Sequence, residues 1–98
     1  MGHGDWKDLF LGVQKNDIDL VFFHISQGVD INYQHPEFMT SALIESIRSN
    51  NLEMMVLLLQ NGASPKVAEV WSSKSPIIIA TENCNTDAIN ILLHFLDR

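Results

Sequence analysis

Apolar residues in this chain gather into short runs separated by polar connectors. The most continuous run is Met54-Met55-Val56-Leu57-Leu58-Leu59, which ends at Gln60, Asn61 and Gly62. A helix that crosses a bilayer needs about 20 apolar residues. The run therefore predicts a helix buried inside a protein, covered on several sides. Similar stretches precede Gly28 and close the chain after Asn85. In the last, Asp87, Asn90, His94 and Asp97 recur at three- and four-residue spacing, one narrow polar stripe on an otherwise apolar helix. A shorter apolar segment lies upstream of each: Leu9 to Val13, Ala42 to Ile47 and Pro76 to Thr81. The pattern predicts three helix pairs.

The pairs repeat. A shift of 34 residues places Asn16 on Asn50, Asp19 on Glu53, Phe23 on Leu57, Ile25 on Leu59 and Gly28 on Gly62. A second shift carries Asn51 to Asn85, Glu53 to Asp87, Leu57 to Ile91 and Leu58 to Leu92. Asp17, Asn51 and Asn85 are expected to cap the second helices, and Asp19, Glu53 and Asp87 to put negative charge in their first turns, where the helix dipole favours it. Ser41 and Ser75 are expected to cap the second and third of the shorter helices, with Pro76 in a first turn where its missing N–H costs nothing. Gly28 and Gly62 should stop helices in the left-handed conformation, and Asn16 and Asn50 are plausible left-handed residues at the tight turns.

These residues resemble the ankyrin repeat. Ser75-Pro76-Ile77 is similar to its Thr-Pro-Leu signature, "LEMMVLLLQNGAS" to its second-helix pattern, and Gly28-Val29-Asp30-Ile31-Asn32 to the segment that opens its β-hairpin finger. The resemblance runs from about Asp5 to Leu96. It implies an all-α solenoid of three helix-turn-helix repeats with β-hairpin-like finger loops, one domain over 1–98 divided at about 5–33, 34–66 and 67–98. Departures are visible. The signature histidine is replaced by Phe10, Ile44 and Ile78, so its hydrogen bonds between repeats should be missing, and Leu96 stands where the third closing glycine would be.

At 98 residues the chain has one domain's worth of core. Cys84 is the only cysteine, so no intrachain disulfide forms, which favours a reducing compartment, and a cytoplasmic location is expected. No signal-peptide pattern opens the sequence, and Gly2 lacks the Ser or Thr that myristoylation wants, because Trp6 stands there. Six basic residues against twelve acidic, with no basic cluster, argue against nucleic acid; no membrane is expected as a partner either.

Chemistry is sparse. His3, His24, His35 and His94 show no zinc-ligand spacing, and neither metal nor cofactor is expected. His24 falls on the core positions of Leu58 and Leu92 and reads as a buried, hydrogen-bonded histidine. Cys84 has no base or cation placed to activate it, and Glu82 with Asp87 reads as solvated surface. The chain is not expected to be an enzyme.

Binding of another protein is the expected function, as adaptor, inhibitor or sequestering module. The resemblance implies contacts from the fingers and the inward surface of each first helix. These map to Tyr33, His35, Phe38 and Met39 in the first connector, Trp71 and Lys74 in the second, and Gln14, Lys15, Arg48 and Glu82 on the helices. Aromatic residues beside an arginine suit an interface, which singles out Tyr33, Phe38, Arg48 and Trp71. Phe38 and Trp71 have an equally open alternative, tucked beneath their own hairpins. A homodimer, or a place in a longer array, is the second expectation. It rests on Phe22 and Val56 as a joint patch, and on Ala88, Ile91, Leu92 and Phe95 along one side of the last helix.

Overall fold

The computed structural model describes residues 6–97. His3 and Asp5 lie outside the described residues. Six helices follow in order: α1 Trp6–Gln14, α2 Ile18–Ser26, α3 Ala42–Arg48, α4 Leu52–Gln60, α5 Pro76–Glu82 and α6 Thr86–Leu96. They form three pairs, α1 with α2, α3 with α4 and α5 with α6. The first helices stack in the order α1, α3, α5 and the second in the order α2, α4, α6.

The local rules of capping account for most boundaries. Asp17, Ser41, Ser75 and Asn85 each accept a hydrogen bond from the backbone N–H three residues on. Asn51 does not: its side chain makes no capping bond, although its backbone sits in the same region as that of Asn85. Asn85 has a further partner, since its Nδ2 donates to Asn50 Oδ1 at 3.0 Å and ties the third turn to the second. Asn16, Asn50 and Cys84 follow one another at the 34-residue shift and are all left-handed, with φ of 55°, 56° and 53°, so the cysteine takes the asparagine position of the third turn. Gly28 and Gly62 end α2 and α4 at φ of 90° and 103°. L-residues adopt such angles at a cost, and glycine does not.

The run from Met54 to Leu59 lies in α4, between α2 and α6 and against α3. Met54, Met55, Leu58 and Leu59 are buried, while Val56 and Leu57 are half-buried. Leu9, Val13, Leu43, Ile44, Ile47, Ile79, Ala88 and Leu92 complete the centre of the core. Trp6 joins them with no exposed surface, stacked on Phe10 at 4.7 Å, although the apolar pattern placed the start of its helix at Leu9. Gly12 is needed for helix packing, because a Cβ there would stand 2.8 Å from Val21 Cγ2.

The finger loops are built from turns, with no strand among the described residues. Side-chain amides join them: Asn32 Nδ2 donates to the Gly62 carbonyl and its Oδ1 accepts from Ser64 N, while Gln34 does the same with the Ala68 carbonyl and Val70 N. Ala88 and Leu92 do not face outward but fill the core, and Ile91 and Phe95 are half-buried; Ile78 and Leu93, each 47 % exposed, are the open apolar residues of the last pair. His24 is buried as expected, yet its Nδ1 has no hydrogen-bond partner. The stripe of Asp87, Asn90, His94 and Asp97 is exposed throughout.

Candidate functional site

The two long connectors converge on the end of α3. Glu69, in the second connector, is 1 % exposed, an unusual place for a carboxylate. Arg48, the last residue of α3, meets it with both arms of the guanidinium: Nη1 donates to Oε2, and Nη2 to Oε1 at 2.8 Å. The Ser72 hydroxyl donates to Oε1 at 2.7 Å. Burial alone would push the Glu69 carboxyl up. Hydrogen bonds from Arg48 and Ser72, together with the Arg48 charge, outweigh it and hold the group below the ordinary glutamate value. The Thr40 hydroxyl is buried nearby without a hydrogen-bond partner of regular geometry. The same carboxylate bond holds Arg48 above its ordinary value, so the pair stays ionised. Glu45, one helical turn before Arg48, is pushed up, chiefly by burial.

This pair organises what lies above it. Backbone bonds from Glu69 N to the Lys74 carbonyl and from Ser73 N to the Glu69 carbonyl close the second connector around Glu69. Ser73 is left-handed there, at φ 63°. Trp71 N donates to the Met39 carbonyl at 2.9 Å, joining the two connector tips. Arg48 lies 6.0 Å from the centre of the Trp71 ring, within cation–π range.

The expected contact residues separate into three groups. Trp71 is 67 % exposed and Phe38 41 %, with Met39 beside them in a left-handed turn. The tucked alternative fails for Trp71. It holds in part for Phe38, whose ring also touches Trp6 and Phe10. Tyr33 and His35 form the second group: both are half-buried against Trp6 and act as walls of the core. In the third group, Arg48 is committed to Glu69, and Lys74 Nζ is paired with Glu82 at 2.7 and 3.0 Å. Glu82 is exposed, as expected, and is also the ion-pair partner of Lys74. Gln14 and Lys15 are exposed at the end of α1. At the first connector Lys7 pairs with Glu37, whose carboxyl is lowered by that hydrogen bond.

Three of the self-association candidates come together between α4 and α6. Val56, Ile91 and Phe95 line one hollow of about 370 Å³ with Gln60, Asn90 and His94. Phe22 is exposed on α2, the helix next to α4, and lies outside the lining of that hollow.

Glu69, Thr40 and Ser72 were missed from the sequence. A lone glutamate in a polar connector looks solvated, and nothing in its spacing links it to an arginine 21 residues away. The amide bridges did leave a signal. Gln34 and Ala68 are one repeat shift apart, and residues one shift apart are neighbours in a stacked array.

The geometry agrees with comparisons to known proteins. A sequence model of ankyrin repeats in three copies matches residues 9–97. The fowlpox virus (strain NVSL) ankyrin repeat protein FPV031 is 32% identical over 87 residues, which is 87% of this chain and 25% of that protein. A second protein of the same virus, FPV018, is 28% identical over 88 residues, 89% of this chain and 12% of its own. Human palmitoyltransferase ZDHHC13 is 37% identical over 54 residues, 55% of this chain and 9% of the enzyme. The chain thus spans a quarter or less of these relatives. Ankyrin repeats are generally non-catalytic protein–protein interaction modules, and among the described residues no helix is long and apolar enough to cross a membrane. Six stacked helices, the 34-residue shift and the match over almost the whole chain agree, and the chain belongs to the ankyrin-repeat family.

Proposed function

We propose that the chain is a non-catalytic recognition module that grips a partner protein through its connector tips and the inward surface of α1, α3 and α5. The observation that carries this reading is the exposure of Trp71 and Phe38 side by side with Met39 on tips held by internal bonds. Large aromatic rings held rigidly in water bind well, because little conformational entropy remains to be lost. Gln14, Lys15 and the Lys74–Glu82 pair supply a polar rim. Tyr33 and His35 act by supporting Trp6 and not by touching the partner.

Affinity capture from cells expressing the chain, with wild type and Trp71→Ala compared, tests this. A partner protein retained by wild type and lost by the variant, with unchanged thermal unfolding, is the expected result. Equal retention would remove the connector tips from the reading.

A second reading is a segment of a larger ankyrin array, with modules divided near residues 34 and 67. It is favoured by the exposed Ile78 and Leu93 on the last pair, and by relatives at least four times as long as the part matched.

A further inference from the structure

Between the connectors is a cleft of about 400 Å³ lined by Phe38, Thr40, Arg48, Glu69 and Trp71. An arginine in such a place ordinarily selects a carboxylate, which fits its planar fork with two hydrogen bonds. Here the fork is already filled. Both guanidinium arms are spent on Glu69, and Ser72 donates to the same carboxylate. The pair sums to no net charge. An incoming carboxylate would meet the Glu69 charge along with that of Arg48, and would give up hydration at a guanidinium whose two-armed fork is already occupied. Phe38 and Trp71, by contrast, present ring surface that gains from leaving water.

We propose that this cleft receives one uncharged apolar side chain, aromatic or branched aliphatic, projecting from a partner polypeptide, and that Glu69 sets the preference by neutralising Arg48. The inference rests on the recognition reading above and narrows it. It also reassigns Arg48: the residue shapes and supports Trp71 and does not serve as a free cation for the partner. Glu69 is a positioning residue, acting through Arg48 and Trp71.

The probe is a phage-displayed library of random dodecapeptides, panned on the intact chain and counter-selected on Trp71→Ala. Enriched peptides should share one aromatic or branched aliphatic position. A synthetic peptide of that sequence should shift tryptophan emission to the blue, as the exposed Trp71 indole is covered. Its affinity should fall at least about 30-fold in Trp71→Ala, the size expected of a central contact residue, and little in Phe22→Ala. In Glu69→Gln, whose folding is checked by thermal melt, Arg48 is left uncompensated, so a peptide with Glu at the anchor position should gain about tenfold relative to wild type.

Enrichment of Asp or Glu anchors on wild type, peptides indifferent to Trp71→Ala and Phe38→Ala, no enrichment, or no gain by the acidic peptide in Glu69→Gln would each overturn the proposal. If panning fails in one of these ways while the captured partner still depends on Trp71, only the cleft assignment falls. If capture is also indifferent, the recognition reading falls with it.

Discussion

Breaking the Arg48–Glu69 pair from its two ends should have unequal consequences. Arg48→Met keeps the apolar stem but leaves a carboxylate that is 1 % exposed without its cation. Removing one partner of a buried pair costs about 3–5 kcal/mol, and because Arg48 is itself 37% exposed, water screens the pair and the loss belongs at the low end, about 3 kcal/mol. Glu69→Gln removes the charge from the buried end and leaves Arg48 able to turn to solvent. It should cost about 1 kcal/mol, the scale of weakened hydrogen bonds. The pH dependence separates the variants further. In wild type the Glu69 carboxyl is held below its ordinary value, so its contribution is present at neutral pH and lost as pH falls through the lowered value. Without Arg48, burial dominates and raises that value, so Arg48→Met is weakest at neutral pH and recovers as Glu69 takes up a proton. Urea denaturation followed by far-UV circular dichroism at pH 7 and pH 4.5 reads both effects. Equal losses at pH 7, or a gap between Arg48→Met and wild type that does not narrow at pH 4.5, would refute the reasoning.

Three further outcomes are expected from the same assay. Asp17→Ala should cost about 1 kcal/mol, whereas Asn51→Ala should be near neutral because Asn51 makes no capping bond. Gly12→Ala should cost about 1–3 kcal/mol through its clash with Val21, whereas Gly28→Ala, with open space around the new methyl group, should cost about 1 kcal/mol from backbone conformation alone. Asn32→Ala should lose about 1–2 kcal/mol, since two hydrogen bonds between the first and second connectors disappear together.

What could be read in the sequence was what the backbone encodes locally. Asn16, Asn50, Gly28 and Gly62 each mark a left-handed turn because few residues tolerate one, and their 34-residue spacing fixed the register that placed Cys84 as well. Ser41 and Ser75 were legible as caps because a short side-chain oxygen just before an apolar run can accept from a first-turn N–H. Asn51 was not, because its backbone conformation is that of a cap while its side chain makes no such bond. Side chains that act across the stack were less legible. Trp6 belongs to the core, yet it precedes the periodic segment and its ring reaches Phe10, Tyr33, His35 and Phe38 from several elements. Arg48 was singled out as a partner contact, whereas its commitment to Glu69 depends on how the second connector folds over α3. Trp71 illustrates the remaining difficulty. Composition favours an aromatic at an interface and under a hairpin alike, and only its surroundings separate the two.

The central claim is that the connector tips, and not the outer helices, meet the partner. Hydrogen–deuterium exchange of the chain with and without its captured partner tests it most directly. Slowed exchange concentrated in residues 33–40 and 67–74 is the predicted result, whereas slowing confined to α2, α4 and α6 would contradict the account.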